Sequence, residues 1–352
     1  MKLSLKKVLF MNAQVAGCEA HKKRKSKEDT NPLPLAHNFQ GLYLGQDHFL
    51  TLFQQSIESG KIPNSWLFTG PFGIGKRTLC YALACKIFGY KGTFSGSDIQ
   101  TLQQSILFKQ LTAVGHPDLL VFSSPVYLDQ IRDLRQRLSY TSLSSSWKIV
   151  TFLDIHHMRP ECLHALLKLI EEPGQRTLFL LTSAHKNLPP TIISRCCCHT
   201  LSPFSQESFN NHLRQILQFK SLTIPENTSL QDLFFFSQGR LGRAIQLLEN
   251  DSLEQFKILW KGLDKIWDHK KICALSEILQ IFSGNLLFFE EIFSFWIFGK
   301  RQTSFQDKDR FMTLDLIWEK VSTWLKTAQT YHVDTDFIIC KSLSYIAHLS
   351  CP

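Results

Sequence analysis

Residues 67–83 read LFTGPFGIGKRTLCYAL: an apolar run ending in glycine, a loop carrying Gly70, Gly73 and Gly75, then Lys76 and a helical stretch. The spacing G-x-x-x-x-G-K between a predicted strand and a predicted helix is that of a phosphate-binding loop. In such a loop, backbone N–H groups cradle phosphates at the positive end of a helix. Strand, loop and helix in this order point to an α/β fold. One letter departs from the pattern. Arg77 follows the lysine where a hydroxyl normally meets Mg²⁺, and a guanidinium has donors only. Thr78 is no simple substitute, because one helix position turns a side chain by about 100°.

The same reading extends outward. SWLFTG (65–70), DLLVF (118–122), KIVTFLD (148–154) and TLFLLTS (177–183) are short, nearly continuous apolar runs. The helical patterns QDHFLTLFQQSIESG, LDQIRDLRQRLSYT and PECLHALLKLIEE lie between or before them. Strands of that kind between helices predict a parallel sheet covered on both faces. Beyond Pro203 strand signals fade and helical runs take over, SQESFNNHLRQILQF and then LQDLFFFSQGRLGRAIQLLEN. The division expected is a basic extension over 1–36, an α/β P-loop core over 37–203, a small helical lid over 204–250 and an all-α terminal domain over 251–352.

The end of KIVTFLD carries the second requirement of a nucleotide hydrolase. Asp154 is placed to support a metal, and its neighbour should be a glutamate that positions water. The sequence reads Asp154, Ile155, His156, His157. Isoleucine can neither accept a proton nor orient water.

Composition narrows the class. With 352 residues, 44% hydrophobic and 20% charged, the chain is long enough for two or three packed domains. The formal charge is +9, but residues 1–36 hold eight Lys or Arg against three acids, so about half of the excess sits in that segment. The rest is mildly basic, which permits nucleic acid as a partner without requiring it. Ten cysteines show no CxxC pair and no secreted-scaffold spacing, so a reducing cytoplasm is the simpler location. No apolar run reaches the length of a membrane span. The first residues, MKLSLKKVLFMNAQVAGCEA, end in a V-A-G-C that is similar to a lipoprotein cleavage box, but Asn12 and Gln14 interrupt the apolar patch. An extension is the better reading, with a lipid tether at Cys18 as the alternative. HKKRKSKEDTNPLP reads as a solvated linker, or alternatively as a nucleic-acid arm.

GQDHFLTLFQQSIESGKIPNSWLFTGPFGIGKRTL, GHPDLLVF, LDQIRDLRQRLSYTSLSSSWKIVTFLD, HALLKLIEEPGQRTLFLLTSAHKNLPPTIISRCC and SQGRLGRAIQLLE together resemble the bacterial clamp-loader family of the AAA+ superfamily. Among its members they are most similar to delta prime subunits of DNA polymerase III. The resemblance covers roughly 39–250, and the pairing of LLKLIEEP with LPPTIISRC is more specific than the phosphate loop. It implies a five-subunit assembly that uses ATP to open a sliding clamp and place it on primed DNA. It also implies a stator subunit without hydrolysis of its own, beside gamma or tau subunits that bind ATP and a delta subunit. Arg195, in the triplet Ser194-Arg195-Cys196, matches the arginine that this family extends into a neighbour's ATP site. The local alternative is a salt bridge at a helix end. Arg243 aligns with the lid arginine, called sensor 2, that touches phosphate in active members; without Mg²⁺ it braces the lid. Thr182 and Ser183 fall at the polar sensor position or are an ordinary strand end.

The sequence departs from the family at one more place. Residues 86–115 contain no cysteine, where family members usually carry a four-cysteine zinc module, so zinc is not expected. Cys196, Cys197 and Cys198 fall in a predicted strand, whose alternation prevents one cluster, and read as buried small hydrophobes. His156 and His157 are adjacent and share no face for a metal. Leu259, Trp260, Leu263 and Trp267 recur at helical spacing and read as core, or as a collar surface between subunits. The expected function is a clamp-loader stator with weak or absent ATP binding. The alternative is an independent AAA+ ATPase in which Thr78 holds Mg²⁺ and His156 or His157 orients water.

Overall fold

A computed structural model describes residues 47–92, 105–113, 116–140, 147–184, 188–225, 228–250, 252–269, 286–304, 307–331 and 333–349. The basic segment 1–36 with Cys18, and part of the 86–115 stretch, lie outside the described residues.

The core is a five-stranded sheet of β1 (Ser65–Thr69), β2 (Leu119–Ser123), β3 (Lys148–Leu153), β4 (Thr177–Ser183) and β5 (Cys197–Thr200). The strand order is β2-β3-β4-β1-β5 and every pairing is parallel. The phosphate-loop strand therefore sits next to β4, with Leu67 opposite Leu181 and Thr69 opposite Ser183. Alternation along the strands sorts the side chains onto two faces. Trp66, Phe68, Ile149, Leu178 and Leu180 join one apolar cluster with α1 (Asp47–Glu58), α2 (Lys76–Ile87) and α3 (Ile106–Ala113). Leu67, Val150, Phe152, Phe179 and Leu181 join the other, with α4 (Leu128–Ser139) and α5 (Pro160–Glu171). Burial on both faces is why these strands read as continuous apolar runs.

β5 corrects one expectation. Cys197 and Cys198 are exposed and Cys196 is only half-buried. The strand pairs with β1 alone among the described strands, so it is a sheet edge, and position in the sheet, not residue type, sets its burial.

After α6 (Pro190–Ile193) and β5 come α7 (Gln206–Lys220), α8 (Leu230–Ser237) and α9 (Leu241–Glu249). Ser205 caps α7 by accepting from the Ser208 N–H, and Ser229 with Asp232 forms a capping box at α8. The stretch 230–250, read as one helical run, is two helices. Gln238 (φ 55°) and Gly239 (φ 69°) turn left-handed and end α8. The ideal Cβ of residue 239 would meet the Phe204 carbonyl at 2.6 Å, which leaves only glycine there. Helices α10 (Leu253–His269), α11 (Leu286–Thr303), α12 (Lys308–Tyr331) and α13 (Thr335–Leu349) follow. Leu259, Leu263 and Trp267 are buried in one continuous apolar cluster that runs from Phe209 to Ala347. No described helix is long and apolar enough to cross a membrane.

Candidate nucleotide site and interface arginine

The loop of residues 70–75 delivers α2 with its N-terminus open. Gly75 is the N-cap at φ 107°, and no side chain caps the helix, so its first N–H groups are available to an anion. The Lys76 ammonium is buried and donates to the carbonyls of Gly70 (2.7 Å) and Pro71 (3.0 Å). Burial pulls its pKa below the usual lysine value, and the Asp154 charge opposes that shift.

Loop and lid are in direct contact. The Gly242 N–H donates to the Gly73 carbonyl at 3.0 Å, and Arg240 Nη1 donates to the Phe72 carbonyl at 3.1 Å. Gly73 has φ 77°, and a Cβ there would stand 2.8 Å from the Arg243 backbone nitrogen. Both the conformation and the approach require glycine. Gly73→Ala is therefore expected to destabilise the fold by about 1–3 kcal/mol and to release the lid from the loop. Denaturant unfolding checks the first effect. Faster hydrogen exchange at Gly242 checks the second.

A cavity of about 400 Å³ lies under this contact. Gly73, Gly75, Lys76, Arg77, Thr78 and Asp154 all line it, so the structure brings the predicted phosphate-site residues together. Gly70 contributes through its carbonyl on Lys76. Arg243 does not line the cavity. Its guanidinium packs over the Phe256 ring (5.7 Å) and donates to Gln246 Oε1 (3.0 Å), bracing α9 against α10. The lid faces the cavity with Leu241, Gly242 and Gln246 instead.

The strand ends set the remaining chemistry. Asp154 adopts φ 55° and starts a short 3-10 turn, Ile155–His157; its N–H donates to Thr182 Oγ1 at 2.9 Å. Thr182 thus holds the end of β4 against the end of β3 and also borders the cavity. Ile155 is 0% exposed, inside the apolar cluster of Phe152, Leu166 and Leu181. His156 Nδ1 accepts from the Ala184 N–H at 3.3 Å, which fixes that ring to the sheet, whereas His157 borders the cavity. Among the described lining residues Asp154 is the only carboxylate.

This arrangement can receive phosphate through backbone N–H groups and Lys76. It does not fit a phosphate-bound Mg²⁺. A cation, Arg77, follows the lysine where an oxygen ligand is needed, and one carboxylate remains to hold a hard cation that seeks several oxygens. Burial raises the Tyr81 hydroxyl to about 12, with the Arg77 charge pulling the other way. Among the described residues no group of His, Cys, Asp or Glu is arranged to hold a metal ion.

Arg195 stands after α6, away from the cavity lining. Its Nε meets Glu171 Oε1 at 2.6 Å and its Nη1 donates to the Thr191 carbonyl at 3.1 Å. The local salt bridge considered from sequence is therefore present within the chain. Both partners keep about two fifths of their surface exposed (40% and 43%). An ion pair this open is worth about 0–1 kcal/mol, so little holds the guanidinium in place.

The roles of Arg240 and Gly242 had no signal in the sequence, because their contacts with the loop span more than 160 residues of chain.

Residues 45–205 match the family described as DNA polymerase III, delta subunit. The gamma subunit of DNA polymerase III from Buchnera aphidicola (Acyrthosiphon pisum symbiont) is 29% identical over 59% of this chain and 57% of its own. The tau subunit from Bacillus subtilis is 26% identical over 58% of this chain and 36% of its own. The chain thus spans 57% and 36% of these two relatives' lengths. Among solved structures, a gamma subunit-related protein of Thermotoga maritima is 15% identical, covering 86% of this chain and 99% of its own with a TM-score of 0.41. With its phosphate loop and parallel sheet, the core of this chain is similar to these DNA polymerase III subunits over residues 45–205.

Proposed function

We propose that this chain is a clamp-loader subunit of a bacterial DNA polymerase III, of the delta prime kind, which takes part in clamp loading without hydrolysing ATP. The observation that carries this reading is Ile155. The position that should hold the water-orienting acid is sealed in the apolar core, and among the described lining residues Asp154 is left as the one carboxylate. Arg77 beside the loop lysine removes the metal's oxygen ligand and supports the same conclusion. Nucleotide binding is weak or absent in this reading. The subunit then acts through contacts with gamma or tau and delta subunits, and through the assembly on the sliding clamp and primer-template DNA. Arg195, loosely held by Glu171, serves an ATP site on a neighbouring subunit. The cytoplasm is the corresponding location.

One observation favours a second reading, an independent ATPase: Thr78 and His157 both border the cavity. It requires Thr78 to take over the metal and His157 to take over the acid at once. The isolated full-length chain, assayed with Mg²⁺ and ATP, separates the two. The proposal expects phosphate release at background. Steady turnover that Lys76→Ala abolishes would establish the ATPase instead.

A further inference from the structure

Arg195 stands on a fixed base. Its N–H donates to the Ile192 carbonyl at 3.2 Å, and its carbonyl accepts from Ser65 Oγ at 2.5 Å, which ties the residue to the buried start of β1. The side chain is directed as well. Nε meets Glu171 Oε1 at 2.6 Å, and Nη1 donates to the Thr191 carbonyl at 3.1 Å and the Ser194 hydroxyl at 3.3 Å. No described residue accepts from Nη2. A guanidinium is a planar fork, so fixing Nε and Nη1 also fixes where the Nη2 donors point. That end is left for an acceptor from outside the chain.

Thr191 and Ser194 are chain neighbours of Arg195, and the short α6 turn supplies them. Glu171 comes from elsewhere, as the last residue of α5. A helix C-terminus carries partial negative charge, so a carboxylate there does not help its own helix. The pair with Arg195 is half exposed and adds little to stability either. Its distinct effect is directional: Glu171 is the charged acceptor among the three and the one that reaches Nε, next to the aliphatic stem.

We propose that Glu171 is a positioning residue for Arg195: by accepting from Nε it turns the Nη2 end outward, towards the ATP site of a neighbouring subunit. The proposal rests on the reading in which Arg195 serves that site. The guanidinium there stabilises charge that spreads over the transferring phosphoryl oxygens, so a loss of direction lowers the rate of the chemical step and leaves ATP affinity in place. Glutamine at 171 keeps an oxygen for Nε without the charge. Alanine keeps neither.

The test is single-turnover ATP hydrolysis, over a range of ATP concentrations, by a reconstituted clamp loader carrying Glu171→Ala, Glu171→Gln, Arg195→Ala or the double alanine variant. Glu171→Ala is expected to lower the maximal rate at the affected site about fivefold, the most that an exposed ion pair of this kind exerts, with the half-saturating ATP concentration unchanged. Glu171→Gln should stay within about twofold of the parent. The double variant should be no slower than Arg195→Ala, because Glu171 acts through that guanidinium alone. The isolated Glu171→Ala chain should keep the parent's thermal midpoint, which separates positioning from a structural role. If Glu171→Ala leaves the rate unchanged or raises it while Arg195→Ala lowers it, Glu171 merely parks the guanidinium, and the proposal is overturned with the role of Arg195 intact. Equal losses in the alanine and glutamine variants, or a double variant slower than Arg195→Ala, overturn it as well. Parent-like turnover in Arg195→Ala would instead overturn the role of Arg195, and the proposal with it.

Discussion

Replacing Arg195 by alanine in a reconstituted clamp loader is expected, on the proposed function, to lower ATP turnover at one neighbouring site by about 10³-fold or more, without dissolving the assembly. A guanidinium supplied from outside stabilises charge spread over the transferring γ-phosphoryl oxygens, where lysine is a poorer fit than the planar fork of arginine. Within the chain, Arg195 leaves behind a half-exposed Glu171, the Thr191 carbonyl and the Ser194 hydroxyl, all at the surface. The stability of the isolated variant should thus change by less than about 0.5 kcal/mol. Steady-state phosphate release by the assembly, with native mass spectrometry of its subunits, reads both effects. Single-turnover measurement isolates an affected site from any others in the assembly. Unchanged turnover at every site would reduce Arg195 to the local ion pair seen here.

Ile155→Glu is expected to unfold the core before it repairs catalysis. The change appears restorative, since it writes back the acid that hydrolysis needs. The side chain is fully buried between β3 and β4 residues and α5, among Phe152, Leu166 and Leu181. A charge there either stays and costs several kcal/mol or takes up a proton and leaves an unsatisfied carboxyl. A loss of about 3–5 kcal/mol follows, read as a fall in the denaturant midpoint, with turnover still at background. A stable variant with Mg²⁺-dependent turnover would show that the chain around residue 155 can swing outward, and the independent ATPase would then gain ground.

Much of this molecule is written locally in the chain. The apolar runs of β1, β3 and β4 are legible because both faces of each strand are covered, and the loop glycines because their spacing meets a fixed phosphate geometry. Arg77 and Ile155 could be read as defects for the same reason, since each stands next to a recognisable landmark. What the sequence hid depends on sheet order or on long-range contact. Cys196–Cys198 look like core, yet they occupy the edge strand, and nothing in a short apolar run tells an edge from a centre. The break at Gln238 is likewise obscured, because a non-glycine residue takes the left-handed conformation there before Gly239 does. Arg243 reads by resemblance as a phosphate-touching arginine, but Phe256 on a later helix offers it a ring and Gln246 an acceptor.

Affinity capture of the tagged full-length chain from its native cells, with mass spectrometry of the proteins retained, tests the clamp-loader assignment most directly. Co-purification of gamma or tau and delta subunits of DNA polymerase III, in an assembly whose ATPase falls with Arg195→Ala, is the predicted result. Recovery of the chain without any of them, under conditions that keep other replication complexes intact, would contradict it.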